Sequence, residues 1–332
     1  MKFSAAAFVR TTLGAFALAL GASAMALPVV RFQDYPGTGN MLVRVAIEQG
    51  LCQQAGIRCE LRTIPAAPLG MQTMLAGDIE VFYGPTEVIA ASAARKVPIK
   101  VIAAGFVEPV FFMAAAANTE LPTEKEGYPG VVKSFKGKKI GVTQRGSGAE
   151  FQVVDMLADA GLTANDVTFV AVGAPDTAFP ALTRGQVDLI MTFSPTDGMC
   201  EVLKACRVVV DPRKGQGPKS ILATRGGAGA MAVKADWAAA NAPTVAAIRR
   251  AMELSEAFMA NPANFGRTLE ILRKTFALQL PNADQIAEVA LRSSIGTFKA
   301  RGTLPAMQAV ADSMTENKLL PVKVDLAPVV LP

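Results

Sequence analysis

The chain has 332 residues, is 51% hydrophobic, carries a formal charge of +5 and contains no histidine. That length exceeds one ordinary core and suits two α/β lobes, while the small basic excess, without a basic run or aromatic-basic stripe, gives no support for a nucleic-acid partner. Four cysteines fall in two pairs that lack the C-x2-C form, which argues against a zinc site, and neither a metal nor a cofactor is expected.

Lys2 and Arg10 flank the start of an apolar stretch over residues 13–20, and Ala24-Met25-Ala26 has the small-x-small form of a signal-peptidase site. Residues 1–26 therefore read as a cleaved signal peptide, and the mature chain, without Lys2 and Arg10, carries +3. The apolar stretch is shorter than the roughly 20 residues of a membrane span; an anchor or an amphipathic first helix is the alternative. No cysteine adjoins the cleavage site to take a lipid.

Residues 29–33 read as a strand, 34–39 as the loop at its carboxyl end, and 41–49 as a helix stopping at Gly50. Residues 58–64 alternate like a strand, 72–76 form a short helix ending at Gly77, and 79–83 form another strand. This βαβα order predicts an α/β fold with a mostly parallel sheet flanked by helices. A second set follows: strand 138–142, helix 149–160, strand 167–172, helix 178–183 and strand 187–193. Residues 108–118 lie between the sets and read as a connection. Residues 228–234 form a returning strand, and helices over 244–259 and 265–274 complete the first lobe. Lobe 1 is thus expected to be discontinuous, 27–107 plus 232–332. Lobe 2 is expected over 112–228, with hinge connections at 108–111 and 229–231.

A short repeat supports two similar lobes. Leu75-Ala76-Gly77-Asp78-Ile79-Glu80 leads to Pro85-Thr86-Glu87, and Leu182-Thr183-Arg184-Gly185-Gln186-Val187-Asp188 leads to Pro195-Thr196-Asp197. The cysteines, Cys52 with Cys59 and Cys200 with Cys206, are expected as two disulfides in an oxidising compartment. Cys52 and Cys59 bracket the turn-like Ala55-Gly56. Six residues of unbroken helix would hold Cys200 and Cys206 roughly 9 Å apart. That bridge therefore requires the helix to break between Glu201 and Ala205. Free buried thiols are the alternative.

In open α/β sheets ligands bind beyond the carboxyl ends of the strands. Loops 35–40, 83–87, 143–148 and 193–197 qualify, with 173–176 a weaker fifth. In Thr143-Gln144-Arg145-Gly146-Ser147-Gly148 the glycines allow close backbone approach, free N–H groups open the next helix, and Arg145 offers a bidentate grip on a carboxylate, sulfonate or phosphate. Ser147 and Glu150 also form a capping-box pattern, and Arg145 pointing to solvent is the competing arrangement. Thr38, Asn40, Thr86 and Thr196 sit at helix starts, where capping is their default role. Tyr35, Tyr83, Phe111 and Phe193 are candidates for stacking on a ligand. Asp34, Asp176 or Glu108 could instead hold a ligand amine.

The stretch Phe135-Lys136-Gly137-Lys138-Lys139-Ile140-Gly141-Val142, then Gly146-Ser147, Leu157-x-x-Ala160-Gly161-Leu162, Asn165-Asp166-Val167 and Ala181-Leu182-x-x-Gly185-Gln186-Val187-Asp188 resembles the periplasmic substrate-binding proteins of the SsuA/TauA/NMT1-like group of ABC transporters. Ile47-Glu48-Gln49-Gly50-Leu51 and Leu75-x-Gly77-Asp78-Ile79-Glu80 extend the likeness into the first lobe, so that it covers about residues 30–260. The resemblance implies a two-lobed type II periplasmic-binding-protein fold that closes on its ligand by a hinge and delivers it to an inner-membrane permease. It implies a periplasmic protein, expected as a monomer, that binds a small molecule without turnover. Members bind alkanesulfonates, taurine, nitrate, aromatic acids or thiamine-precursor pyrimidines. Here a small organic anion is expected, with a pyrimidine-type heterocycle as the alternative. Related thiamine-pyrimidine synthases use a histidine as reactant, and its absence here removes that enzymatic reading; a carboxylate-based enzyme on this fold stays open.

Overall fold

Strand β1 (Val29–Asp34) runs into helix α1 (Met41–Glu48), whose start is closed by Asn40, its side chain accepting from the Val43 N–H. A short helix α2 (Leu51–Gln54) then leads to β2 (Arg58–Thr63), which lies parallel to β1. The molecule, a computed structural model, describes Met1 and residues 26–332, so the expected signal peptide falls, but for its end residues, outside the described residues. Helix α3 (Ala67–Ala76) starts earlier than residue 72 because Pro68 suits a first helical turn, where its missing N–H has no partner to lose. After it come β3 (Phe82–Pro85), α4 (Thr86–Ala94) and β4 (Ile99–Phe106).

The second group opens with β5 (Phe112–Ala116), followed by β6 (Lys139–Val142), α5 (Gly148–Asp159), β7 (Thr168–Ala171) and α6 (Pro175–Thr183). It continues through β8 (Leu189–Thr192), α7 (Thr196–Leu203), β9 (Cys206–Val210) and α8 (Lys219–Leu222). The chain then returns as β10 (Gly229–Lys234), α9 (Ala235–Ala240), α10 (Ala242–Ala260), α11 (Phe265–Thr275), α12 (Ala283–Ser294) and α13 (Leu304–Glu316).

The strands fall into two five-membered arrays of the same design. In the first, β2 and β1 pair, a parallel bridge between Phe32 and Val81 joins β1 to the chain entering β3, and β10 lies antiparallel between β3 and β4. In the second the order is β7-β6-β8-β5-β9, with β5 antiparallel to β8 and β9. Each array thus receives one reversed strand at the crossing between lobes. Residues 229–231, expected as a connection, are paired within β10.

Both sheets are covered on two faces. In β5, Met113 and Ala115 join the core with α5, while Phe112, Ala114 and Ala116 join the opposite core with α6 and α7. This explains why the alanine-rich 108–118 segment reads as a connection in sequence: a strand buried on both sides has no polar face to alternate with. The C-terminal helices do not all stay with lobe 1. Ile286 of α12 is buried in the core of lobe 2, and α12 reaches α7 closely because Gly198 is there; a Cβ on Gly198 would stand 2.6 Å from the Ile286 carbonyl oxygen.

Both disulfides form. Cys52–Cys59 ties α2 to β2 with Cα atoms 5.9 Å apart, and Cys200–Cys206 ties the last turn of α7 to β9 at 4.6 Å. The break that the second pair requires is Lys204, left-handed at φ 56°, which ends α7. The Leu75 to Glu87 repeat maps onto α3-β3-α4 and its partner onto α6-β8-α7, the equivalent passage of each lobe.

Candidate functional site

The lobes meet across a cleft lined at one side by Tyr35, Thr38, Tyr83, Phe106 and Phe298, and at the other by Phe111, Thr143, Ser147, Phe193 and Arg213. They are closed on one another. The Thr38 N–H and hydroxyl both donate to the Ser194 carbonyl at 3.2 Å, and the Tyr35 and Phe193 rings stand edge to face with centroids 6.2 Å apart. The remaining free volume is about 60 Å³, well below the roughly 300–1,000 Å³ of a typical small-molecule pocket.

Local sequence builds the aromatic walls. Phe111 meets Phe193 edge-on at 6.0 Å, and Tyr83 meets Phe106 at 5.6 Å. Two glycines make room for the second pair: a Cβ on Gly105 would fall 2.2 Å from Tyr83 Cε2, and one on Gly229 would fall 2.1 Å from Phe106 Cζ. Burial holds the Tyr35 and Tyr83 hydroxyls far above their ordinary titration range, so both rings stay neutral at physiological pH. The Tyr35 hydroxyl donates to the Tyr83 carbonyl at 2.7 Å, which fixes the first ring.

The polar end of the cleft is the start of α5. Ser147 is its N-cap and accepts from the Glu150 N–H at 3.4 Å. The Gly146 N–H, one residue before the cap, donates to Glu150 Oε2 at 2.7 Å, while the Ser147 N–H donates to the Gln144 carbonyl at 3.2 Å, so the expected capping box forms only its Ser147 arm. Ser147 and Gly148 face the cleft where the helix dipole is positive. Arg213 is the one charged side chain in the lining among the described residues. Its Nη1 lies 2.7 Å from Asp197 and its Nε 2.8 Å from Asp211, and the guanidinium sits 4.3 Å from the Phe112 ring centroid. Two carboxylates thus neutralise it before any ligand arrives.

Of the expected binding residues, Tyr35, Thr38, Tyr83, Thr143, Ser147 and Phe193 line the cleft, as does Phe111, while Asn40, Thr86, Arg145 and Thr196 do not. Asn40 is fully buried, capping α1 and donating through its side chain to the Gln33 carbonyl. Thr86 donates to the Gly227 carbonyl at 2.6 Å, and the Thr196 hydroxyl meets that of Thr192 at 3.0 Å. Arg145 is 65% exposed and lies along Glu150 at 3.0 Å and over the Phe169 ring, turned away from the cleft. The acids proposed for a ligand amine are also placed elsewhere. Asp34 holds the buried Arg44 at 2.8 Å, Glu108 pairs with Arg225 at 3.4 Å, and Asp176 is exposed on α6 outside the lining. Sequence reasoning missed Arg213, Phe106, Phe298, Ser294 and Thr297, which reach the cleft from outside the expected strand-end loops, from the turn after β9, the end of β4, and the end of α12 with the segment after it.

The model of the NMT1/THI5-like family matches residues 40–264. Among solved structures, the alkanesulfonate-binding protein SsuA from Xanthomonas axonopodis pv. citri, bound to MOPS, superposes with a TM-score of 0.74 at 20% identity over 93% of this chain and 99% of its own. The periplasmic aliphatic sulphonate binding protein SsuA from Escherichia coli gives 0.68 at 17% identity over 91% and 97%. The periplasmic nitrate-binding protein NrtA from Synechocystis PCC 6803 gives 0.72 at 12% identity over 92% and 86%. Curated relatives from Brucella abortus and Brucella suis are 25% identical over 166 residues, 50% of this chain and 47% of theirs, so the chain spans about half the length of the curated relatives it matches. With two similarly ordered sheets closing on an aromatic cleft and a family match over most of its length, the chain has the periplasmic-binding-protein fold and belongs to the NMT1/THI5-like family.

Proposed function

We propose that the chain is the solute-binding component of an ABC importer, exported to the periplasm and acting as a monomer that closes on a small molecule and passes it to an inner-membrane permease. The observation that carries this reading is the cleft itself, walled by both lobes and held shut by contacts from one to the other. Binding without turnover is supported by its chemistry. The lining hydroxyls of Thr38, Thr143, Ser147 and Ser194 have no histidine to activate them, both cysteine pairs are bridged, and Arg213 is held by two acids.

The ligand we infer is a small organic anion with an apolar, aromatic-compatible body. Its body would lie among Tyr35, Phe111 and Phe193, and its sulfonate or carboxylate would meet the Ser147-Gly148 start of α5 in place of Arg145. The sulfonate- and nitrate-binding names among the structural relatives support an anionic head. A neutral heterocycle of the pyrimidine type is the second reading, favoured by the complete neutralisation of Arg213. A thermal-shift screen of small sulfonates, carboxylates and pyrimidines, followed by calorimetry, decides between them. A solute at 100 times its dissociation constant should stabilise the protein by about 2.7 kcal/mol. No stabilisation by any of the three classes would sink the proposal.

A further inference from the structure

Beside the cleft, α4 of lobe 1 packs on α5 of lobe 2, and Gln152 Nε2 donates to Glu87 Oε1 at 2.8 Å across the seam. Both side chains are deeply buried, Glu87 at 4% and Gln152 at 5% exposure. The pair is short of a proton. Glu87 Oε2 and Gln152 Oε1 are buried and have no hydrogen-bond partner, and both are acceptors if Glu87 is ionised. One added proton satisfies the two together. A carboxylic acid facing a carboxamide forms a ring of two hydrogen bonds, with amide N–H donating to the acid carbonyl and acid O–H donating to the amide oxygen.

The surroundings supply no cation in compensation. Glu87 takes part in no ion pair among the described residues, and α3 and β3 carry no charged side chain. Arg95 and Lys96 follow the far end of α4, Lys219 of α8 is exposed, and Lys234 of β10 lies beside Gly77, away from the α4 start. On α5, Glu150 is engaged with Arg145, Asp159 accepts from the Tyr128 hydroxyl, and Asp155 accepts from Ser313 and Asn317 of the α13 end. Asp312 of α13 accepts from Gln308, and Glu316 completes that helix with another negative charge. Burial pushes the Glu87 carboxyl up to about 7; the Gln152 hydrogen bond pulls it down and the Asp155 charge adds to the rise.

We propose that Glu87 and Gln152 form a proton-dependent latch between the lobes, so that closure takes up one proton at Glu87 and the closed form loosens as pH rises. The latch rests on the solute-binding reading, whose regulation it names. With the lobes apart, Glu87 meets water and titrates in the ordinary carboxylate range near 4.5. Below that range it is protonated in both states and pH has no leverage. Between it and about 7, closing binds a proton, and the ratio of closed to open molecules falls up to tenfold per pH unit. Above about 7 both states are ionised and the ratio is flat at its low value.

The test needs no solute, so its failure leaves the solute-binding proposal standing. Carboxyl carbon NMR of the ¹³C-glutamate-labelled full protein should show one glutamate titrating near neutrality, and Glu87→Gln should remove that signal. Small-angle scattering at about pH 5 and about pH 8 should show the wild type expanding at the higher pH, while Glu87→Gln, which keeps two hydrogen bonds to Gln152 without a proton, stays compact at both. If Glu87→Gln does not fold, Gln152→Met serves: it cannot form the ring in either state and should be expanded at both values. A wild type with no near-neutral glutamate, or with unchanged dimensions across that range, overturns the latch, as does a Glu87→Gln protein that still expands.

Discussion

Three arginines show how the same charge is put to different uses. Arg44 is 2% exposed and spends its donors on Asp34 and on the carbonyls of Tyr35 and Gly37, which ties down the loop that carries Thr38. Arg213 sits in the cleft wall but belongs to Asp197 and Asp211. Arg145, the one with the strongest sequence argument for ligand contact, lies on the surface against Glu150. Its loop was legible and its direction was not, because a capping glutamate four residues past the glycine competes for the guanidinium and no sequence rule weighs that contest. The aromatic candidates Tyr35, Tyr83, Phe111 and Phe193 were legible because strand ends point toward a shared cleft in this class of sheet. The contrast between the arginines can be measured by urea unfolding and calorimetry. Arg145→Ala should change stability by less than about 1 kcal/mol and leave solute affinity within about twofold of the wild-type value. Arg213→Met should lose about 3–5 kcal/mol, because two buried carboxylates lose their shared partner.

At the scale of elements, amphipathic helices and half-exposed strands announce themselves, and fully buried strands do not. Helices α5, α10 and α11 fall within two residues of their expected limits, because a stripe facing a sheet leaves a polar face to read. Strand β5 hides in an alanine run, and α12, spanning both lobes, has no local sign of its double allegiance. The short α7 shows how a covalent constraint and a backbone break cooperate. Left-handed Lys204 turns the chain so that Cys206 meets Cys200, and the bond then closes a loop of few residues. Replacing both cysteines by serine should lower the urea-derived stability by about 2 kcal/mol, the loop-entropy value for so small a ring. Wild-type protein under reducing conditions loses Cys52–Cys59 as well and should show about twice that loss, about 4 kcal/mol.

For the whole molecule, the closed state is a balance of contacts between lobes, and a small change at the seam should move it. Gly148 stands where the lobes press together, since a Cβ there would come 2.7 Å from Pro85 Cβ on the other side. Gly148→Ala should act as a wedge. An overpacking penalty of about 1–3 kcal/mol, borne only by the closed form, weakens solute binding by up to about 5- to 150-fold. The same variant should scatter as a larger particle without solute, while urea unfolding of the separated lobes is little changed. Weaker binding with unchanged dimensions would assign the loss to solute contact at the α5 start instead.

The placement of β10 also bears on how such a molecule comes into being. Strands β3 and β4 are consecutive in the chain, yet the slot between them is filled by residues 229–234, made more than a hundred residues later. A chain emerging amino terminus first therefore holds the first sheet with a gap in it, both flanking edges bare, until nearly all of lobe 2 has appeared. Lobe 2 has its five strands within residues 112–210 and waits for none from beyond them. For the sheets, the order of birth is thus the reverse of the order of completion: the second has all its strands by residue 210, and the first receives its last only when β10 comes back.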